Sequence, residues 1–402
     1  MPSRRQLLYA ASAGLVGASA AAATSSGADT DTSAPSPWPM SRHDPAGTAH
    51  TTEAGPKDGV SLAWRHERTP WFSGTSEPIL CGGTLYVAGE GLLALDPETG
   101  DRRFGAPGPY DASPARARAS VYNSDTLAVL SGSEITGLNS TGGLRLPVVG
   151  AVGTERWTAP TPDHRDPFAS MSGERPTPVA AGGTVVTPTP DRASLLALDA
   201  DDGEVRWQRT PTDDEASVSF TRPAVREGVV YTTAWPYRVA AYDLASGTRQ
   251  WHCELDEQML LAPVATEDGL VVLSRESVWS LDPADGSTRW RYGHGGNVTE
   301  SAPAVADGLV VAPTEDGTLD AVDLATGERA WRVPFSGNGA PVVGDGVVYA
   351  VRSYYELVAF DADTGQRRFT YEPEQVPLSA PVVAGGRLYA ANRRAILALE
   401  EA

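Results

Sequence analysis

Lysine is almost absent from this chain of 402 residues. Lys57 is the only one, so nearly all of the 32 basic residues are arginines, and 51 aspartates and glutamates outnumber them. The formal net charge of -19 repels nucleic-acid phosphates, which disfavours a role in binding DNA or RNA. Carboxylates spread along the whole chain favour a protein adapted to concentrated salt, from a halophilic archaeon, and an ordinary acidic secreted protein is the alternative.

Cysteine and histidine are also scarce. The two cysteines, Cys81 and Cys253, fall in sequence repeats far apart, so we expect buried thiols and no disulfide. The six histidines lack the spacing of metal ligands, and we predict no metal site. The chain has no nucleophile-elbow serine motif, no phosphate-binding loop and no His-Glu-x-x-His motif, so we assign no catalytic residue.

Long apolar runs are missing as well. Arg4 and Arg5 precede a short run rich in Ala and Gly, which is similar to a twin-arginine export signal over residues 1–23. The run is too short to favour a permanent transmembrane anchor, so we expect an extracytoplasmic mature protein. Residues 24–37 are Thr, Ser, Ala, Asp and Pro, a composition typical of a disordered spacer.

What the chain does contain is one motif, repeated. It reads Asp-x-x-x-Gly and is followed by an aromatic residue, as in "VDLATGERAW" at residues 322–331. An Asp that opens a turn and a Gly that accepts positive φ predict a β-hairpin corner, with the aromatic side chain on the strand after it. The corners are Asp96 to Gly100, Asp199 to Gly203, Asp243 to Gly247, Asp282 to Gly286, Asp323 to Gly327 and Asp361 to Gly365. The aromatic landmarks are Trp64, Phe104, Trp207, Trp251, Trp290, Trp331 and Phe369, with Leu146 in place of an aromatic.

Each corner follows another predicted hairpin, so the unit is a four-stranded antiparallel sheet of about forty residues, the period of a propeller blade. A proline opens the first strand at Pro78, Pro178, Pro223, Pro263, Pro303, Pro341 and Pro381. The chain ends one strand short of a final blade, and residues 61–67 form a Trp strand without a blade before it. We predict an all-β, eight-bladed propeller over 38–402, closed by this N-terminal strand, with a lead-in over 38–60 and a loop insertion over 147–175.

The corner motif, the eight units and the split last blade resemble the pyrroloquinoline-quinone-like (PQQ-like) propeller family. The stretch "WPMSRHDPAGTAH", residues 38–50, is also similar to the segment that precedes the propeller in many members. The resemblance implies either a PQQ-dependent alcohol or sugar dehydrogenase that uses Ca²⁺, or a relative of the non-enzymatic lipoprotein of the Bam complex. The chain has no adjacent cysteine pair and nearly minimal blades, so we place it closer to the non-enzymatic type and predict no cofactor.

One face of the predicted disc is more variable than the other. The turns between strands one and two, and between strands three and four, have similar sequences in all blades. The opposite face, called here the variable face, carries dissimilar loops, and such loops on a rigid scaffold often bind partners. The candidate contact residues on it are Trp71, Phe72, Trp235, Tyr237, Arg275, Arg352, Tyr354, Tyr355 and Arg393.

The sequence therefore supports three functions. The first is a monomeric scaffold that binds a protein or a small-molecule or saccharide ligand on the variable face, without catalysis. The second is the PQQ-dependent dehydrogenase. The third, a module that binds sugars or polymers, differs from the first mainly in its ligand.

Overall fold

The computed structural model describes residues 37–68, 76–110, 112–132, 134–146, 150–160, 176–210, 219–258, 261–296, 301–314, 317–337 and 339–402. Over these ranges the chain forms 36 β-strands and no helix. Consequently none of the described residues belongs to a helix that is long and apolar enough to cross a membrane.

The strands form eight blades, each a sheet in which consecutive strands lie side by side and antiparallel, in the order of the chain from the inner strand to the outer strand. The two strands before blade 1 are β1 (His50–Thr51) and β2 (Val60–Glu67). Blade 1 contains β3 (Ile79–Cys81), β4 (Thr84–Ala88), β5 (Gly91–Leu95) and β6 (Arg102–Pro107). Blade 2 contains β7 (Ala115–Ala117), β8 (Thr126–Ser131), β9 (Glu134–Asn139) and β12 (Glu155–Pro160), with the hairpin β10 (Leu144–Leu146) and β11 (Gly150–Val152) inserted before β12.

Blades 3 to 5 follow the same plan. Blade 3 contains β13 (Val179–Ala181), β14 (Thr184–Pro188), β15 (Leu195–Asp199) and β16 (Val205–Arg209). Blade 4 contains β17 (Ser219–Phe220) and β18 (Ala224–Arg226), which share the inner position because both pair with β19 (Val229–Trp235), and then β20 (Arg238–Asp243) and β21 (Arg249–Glu254). Blade 5 contains β22 (Val264–Ala265), β23 (Leu270–Leu273), β24 (Ser277–Leu281) and β25 (Thr288–Gly293).

Blades 6 to 8 complete the ring. Blade 6 contains β26 (Ala304–Ala306), β27 (Leu309–Thr314), β28 (Thr318–Asp323) and β29 (Arg329–Pro334). Blade 7 contains β30 (Val342–Gly344), β31 (Val347–Arg352), β32 (Glu356–Asp361) and β33 (Arg367–Tyr371). Blade 8 contains β34 (Val382–Ala384), β35 (Arg387–Ala391) and β36 (Ala395–Glu401).

The predicted closure of the ring is confirmed. Strand β2 pairs antiparallel with β36, with Leu62 opposite Leu399 and Glu67 opposite Ala395, and so supplies the missing outer strand of blade 8. The backbone N–H groups of Lys57 and Asp58 donate to the Glu401 carboxylate at 2.6 and 2.9 Å. This contact between the residues before β2 and the end of β36 takes the place of the turn that joins the last two strands of the other blades.

The lead-in forms a belt, residues 38–54, that hydrogen-bonds to the inner strands of six blades and to the turn after the inner strand of a seventh. Its carbonyl groups accept hydrogen bonds of 2.7–3.2 Å from inner-strand N–H groups or the turn that follows, and the pairs are Leu80 to Trp38, Arg116 to Pro39, Val225 to Pro45, Ala265 to Ala46, Val305 to Thr48, Val343 to Ala49 and Gly386 to Ala54. Within the belt, β1 pairs in parallel with β30. Trp38, Met40 and Arg42 are each 2% exposed. The belt therefore occupies the inner ends of the blades and ties them together.

Two buried arginines fasten the belt. Arg42 of the belt donates to the carbonyl oxygens of Pro341, at 3.2 Å, and Pro303. Arg222, which precedes the inner strand of blade 4, donates to the belt carbonyls of Ser41 and Asp44 at 3.0 and 2.8 Å. Carbonyl oxygens that would otherwise be buried without a donor are thus paired with guanidinium groups.

Six of the eight blades contact the next blade through a tryptophan on their outer strand. Trp290 of blade 5 donates from its indole N–H to the Leu324 carbonyl of blade 6, at 2.8 Å, and its ring lies against Gly327. A Cβ atom at Gly327 would be 2.7 Å from that ring, and Gly327 has φ +75°. The corner glycine is therefore required both for its backbone conformation and for the space it leaves. The same contact joins Trp64 to Gly100, Trp157 to Gly203, Trp207 to Gly247, Trp251 to Gly286 and Trp331 to Gly365.

The prediction for the outer strand of blade 2 was wrong. We expected Leu146 on the outer strand of blade 2, but that strand is β12, and Trp157 on it contacts Gly203. The reason is the inserted β10–β11 hairpin, which separates the corner from its strand. Residues 150–160, which we had interpreted as part of a loop insertion over 147–175, form β11 and β12.

The corner aspartates accept hydrogen bonds from the turn that follows them. Asp323 accepts from the backbone N–H groups of Ala325 and Thr326 at 3.1 and 2.8 Å. The hydrogen bonds from the Thr326 side chain and backbone hold the pKa of Asp323 below its ordinary value of 3.8. Hydrogen bonds from Ser246 lower the pKa of Asp243, and those from Thr364 and Arg368 lower the pKa of Asp361.

We expect the corners to make the protein sensitive to acid. A carboxylate whose pKa is lower in the folded state stabilises that state above its unfolded pKa, and the contribution is lost as the pH falls through the folded value. The unfolding temperature should therefore fall as the pH drops below about 4. The triple variant Asp243→Asn, Asp323→Asn and Asp361→Asn should show a shallower fall.

A control variant separates the effect of the turn hydrogen bonds from the effect of net charge. Glu267→Gln, Glu328→Gln and Asp363→Asn together remove three exposed carboxylates. Thermal unfolding of both triple variants between pH 7 and about pH 2.5 compares them. An equally shallow slope in the control would contradict the role given to the turn hydrogen bonds.

Candidate binding face

The candidate contact residues that the structure describes lie in, or directly before, the turns between the second and third strands of blades 4, 5, 7 and 8. Trp71 and Phe72 lie outside the described residues. The remaining seven residues belong to four separate turns, so the variable face presents contact points spread around the disc.

The blade 4 turn exposes two aromatic rings. Pro236 and Tyr237 connect β19 to β20, and Ala234 pairs with Arg238 beneath them. Trp235 is 45% exposed and Tyr237 is 36% exposed. The Tyr237 carbonyl accepts a 2.9 Å hydrogen bond from the N–H of Leu255, in the connection to blade 5. This short turn holds the backbone of both rings, so little conformational freedom is lost when a partner contacts them.

The blade 7 turn presents Tyr354, which is 58% exposed. Arg352 and Glu356 close its base through two hydrogen bonds of 2.7 and 2.6 Å, which raise the pKa of Arg352. The Tyr354 carbonyl accepts from the N–H of Leu378 at 2.7 Å, and Ser353 donates to Ser336 at 2.8 Å. Ser353 and Tyr354 have φ values of 52° and 69°.

Positive φ is uncommon for residues other than glycine, and such conformations persist where the surroundings hold them. Here the holding contacts come from Ser336 and Leu378, in the connections on either side of blade 7. The blade 7 turn is therefore fixed in a conformation that leaves the Tyr354 ring in solvent. Tyr355, the next residue, is half-buried, and Arg352 is engaged with Glu356.

The blade 5 turn is organised by Glu257, which the sequence analysis did not single out. The Glu257 carboxylate accepts from the Ser274 and Ser277 hydroxyl groups and contacts Arg291, whose guanidinium lies 4.6 Å from the Trp279 ring centre. Burial alone would raise the pKa of Glu257, but these hydrogen bonds and the charge of Arg291 lower it below its ordinary value. Arg275 is exposed at the tip of this turn.

The blade 8 turn places Arg393 at the surface above a buried amide. Asn392 is fully buried, and its side-chain oxygen accepts from the N–H groups of Arg394 and Ala395 at 2.8 and 2.7 Å. Arg68 donates to the backbone carbonyls of Asn392 and of Ala88 in blade 1. Burial lowers the pKa of Arg68 to about 10, so its guanidinium stays charged at neutral pH.

A PQQ-dependent dehydrogenase would need a Ca²⁺ site beside the quinone. A Ca²⁺ site takes several oxygen ligands, including carboxylates. In the described part of the chain no three His, Cys, Asp or Glu side chains are grouped closely enough to hold a metal ion. The inner ends of the blades are occupied by the belt, and Cys81 and Cys253 are free thiols. Burial raises the pKa of Cys81 to about 12, so this thiol is not ionised at neutral pH.

Comparison with solved structures shows similarity to two kinds of PQQ-like propeller. BamB from Moraxella catarrhalis superposes with a TM-score of 0.62 at 14% identity, over 85% of this chain and 100% of that one. Quinohemoprotein alcohol dehydrogenase from Comamonas testosteroni superposes with a TM-score of 0.69 at 14% identity, over 91% of this chain and 81% of that one. At this identity the likeness establishes the fold alone.

Comparison of sequences points to one of the two. The outer membrane protein assembly factor BamB of Alkalilimnicola ehrlichii is 30% identical over 181 residues, which are 42% of this chain and 46% of that protein. The BamB of Shewanella oneidensis is 29% identical over 143 residues, or 32% and 36% of the two chains. These matches span less than half the length of either relative.

The sequence model of the family described as "Outer membrane protein assembly factor BamB" matches residues 148–292 and 253–402, which is more than half of the chain. The chain belongs to this family of PQQ-like propellers.

Proposed function

We propose that the protein is a non-catalytic scaffold that binds a partner protein on its variable face, outside the cytoplasm. One observation carries the proposal: Trp235, Tyr237 and Tyr354 are exposed on turns whose backbones are fixed by neighbouring connections. Aromatic side chains held in this way are the residues on which binding free energy concentrates at protein interfaces. The relatives named as assembly factors support a protein partner over a saccharide.

Export supports the same proposal. The paired arginines and the small-residue stretch of residues 1–23 favour transfer out of the cytoplasm by the twin-arginine route. We expect the mature protein to be a monomer, because the ring is closed and leaves no unfinished blade for a second copy to complete.

A photo-crosslinking experiment in cells that produce the protein tests the proposal. A benzophenone amino acid at Tyr237 or Tyr354 should form a discrete adduct with a second protein. The matched control positions are Ala245 and Asp363, which are exposed on the opposite face of the same two blades. Adducts at the control positions in equal yield, or none at Tyr237 and Tyr354, would contradict a partner on the variable face.

A second measurement tests the absence of catalysis. Purified protein mixed with Ca²⁺ and PQQ should retain no quinone absorbance after gel filtration, and should reduce no dye with a panel of alcohols and sugars. Saturable uptake followed by dye reduction would replace the scaffold with the dehydrogenase.

A further inference from the structure

The corner of blade 2 begins with an asparagine. Six other blades carry an aspartate at this position, and these residues are Asp96, Asp199, Asp243, Asp282, Asp323 and Asp361. In blade 2 the residue is Asn139, at the end of β9, and Ser140 and Thr141 follow it. An asparagine followed two residues later by serine or threonine is the acceptor sequence, or sequon, for N-linked glycans. Blade 2 therefore departs from the other corners at a position that has the chemistry of a modification site.

The turn holds the side-chain oxygen of Asn139. This oxygen, Oδ1, accepts from the backbone N–H of Thr141 at 3.0 Å and from the hydroxyl groups of Thr141 and Ser124, both at 2.9 Å. A backbone N–H can only donate, so the atom that faces it is the oxygen of the amide and not the nitrogen. The amide is thus fixed in orientation, and the hydroxyl group that the sequon requires lies against it.

In the aspartate corners, an arginine covers the second side-chain atom. The donor is the outer-strand arginine directly before the aromatic residue, the distances are 2.7–2.8 Å, and the pairs are Arg103 to Asp96, Arg206 to Asp199 and Arg368 to Asp361. In blades 1 and 3 the same guanidinium also donates to the threonine that opens the second strand, which is Thr84 or Thr184.

Arg156 has the equivalent position in blade 2 but does not contact the corner residue. It donates to Thr126, the first residue of β8, at 2.6 Å, and to the carbonyl and hydroxyl oxygens of Ser124 at 2.6 and 2.7 Å. The amide nitrogen of Asn139, Nδ2, is a donor and cannot accept from a guanidinium. Among the described residues its single hydrogen bond is to the Gly153 carbonyl at the surface, and at 3.5 Å this bond is longer than an ordinary one.

We propose that Asn139 is a site of N-linked glycosylation. In this reaction Nδ2 bonds to C1 of a sugar carried on a lipid-linked phosphate. The bond between C1 and the phosphate oxygen breaks, the phosphate leaves with the electron pair, and Nδ2 gives up a proton to a base of the transferring enzyme. The acceptor is accessible in the folded chain, because Thr141 is exposed, Asn139 is half-buried and no arginine covers Nδ2.

The position of Asn139 is compatible with the proposed function. The corners lie on the face opposite the variable face, so a glycan on this corner leaves Tyr237 and Tyr354 open to a partner. The site rests on the export that is part of the proposed function, because the lipid-linked sugar is used outside the cytoplasm. It does not depend on which partner the variable face binds.

Mass spectrometry of the exported protein, recovered from the organism that produces it, tests the proposal. Trypsin releases residues 119–145, which contain Asn139 and also Asn123, an exposed asparagine that is not in a sequon. We expect this peptide to carry the mass of a glycan, and fragmentation to place the glycan on Asn139. A second sequon, Asn297 to Thr299, lies outside the described residues. An unmodified peptide, or a glycan on Asn123 or on Asn297 alone, would overturn the proposal.

Variants of the corner separate the acceptor from the fold. Thr141→Val removes the sequon hydroxyl and should abolish the modification, whereas Thr141→Ser should keep it. Asn139→Asp removes the acceptor and restores the carboxylate of the other corners. It should be unmodified, with an unfolding temperature at least equal to that of Thr141→Val, because Arg156 then gains a partner. A glycan that persists in Thr141→Val would contradict transfer to a sequon.

The failure of this proposal can be distinguished from the failure of the proposed function. Arg4→Lys with Arg5→Lys should retain the protein in the cytoplasm and leave Asn139 unmodified. A glycan on the retained protein would contradict transfer outside the cytoplasm. An exported chain that lacks the glycan but crosslinks through Tyr237 would overturn glycosylation alone, and a parent chain that never leaves the cytoplasm would overturn both proposals.

Discussion

A chain that begins at residue 68 is expected to lose cooperative folding, because it lacks both the belt and β2. Without β2, blade 8 keeps only three strands and ends at β36. The outer edge of β36 is then unpaired and prone to associate with other chains. Without the belt, backbone N–H groups of seven blades, six of them on inner strands, lose their acceptors. Circular dichroism during thermal unfolding, together with size-exclusion chromatography, measures the loss.

Two further starting points separate the contributions. A chain that begins at residue 37 keeps the belt and β2, and its unfolding temperature should match that of the full chain. A chain that begins at residue 59 keeps β2 but loses the belt. It should be destabilised by at least about 3–5 kcal/mol, since the loss of one buried tryptophan such as Trp38 costs this much. Equal unfolding temperatures for the chains that begin at 37 and 59 would show that the belt is not part of the closure.

The fold could be predicted from the sequence because one motif recurs and the structural role of each of its residues is local. Asp323, Gly327 and the aromatic residue after them recur at fixed spacing, and each has a local role that any one copy reveals. The middle strands are rich in apolar residues because neighbouring blades cover both of their faces, as in the fully buried β23, whose four residues are all apolar. The outer strands alternate because only one of their faces is covered, as at Trp207.

Features that occur once in the chain could not be predicted in the same way. Trp157 was missed because an inserted hairpin shifts it out of the repeat, and no second copy shows where the corner resumes. The belt makes backbone hydrogen bonds, which depend on the position of the chain and leave no side-chain pattern. Glu257 acts through partners from different segments, Ser274 and Arg291, which only the folded chain brings together.

Exposure on the variable face also required the structure. Tyr354 and Tyr355 are identical in type and adjacent in the chain, yet Tyr354 is exposed and Tyr355 is half-buried. The difference is set by the positive φ values of Ser353 and Tyr354 and by the contacts with Ser336 and Leu378. Neither these backbone conformations nor these contacts can be inferred from the residue types alone.

Replacing Gly327 with valine is expected to lower the free energy of unfolding by about 2–6 kcal/mol. About 1–3 kcal/mol comes from a side chain at a φ of +75°, where β-branched residues are strained. A further 1–3 kcal/mol, roughly, comes from overpacking, because the new Cβ would be 2.7 Å from the Trp290 ring. Chemical denaturation of the variant and the parent measures the sum.

Gly308 separates the two causes, since it has nearly the same backbone conformation without the ring. Its φ is +78°, and a Cβ added there would meet no atom within 4 Å. Gly308→Val should therefore cost only the backbone part, about 1–3 kcal/mol. In a Trp290→Ala background, Gly327→Val should lower the free energy of unfolding no more than Gly308→Val does, because the space left by the indole ring then accepts the valine. If Gly308→Val and Gly327→Val cost the same, the tryptophan does not hold the corner of the next blade, and the blades are joined by other contacts.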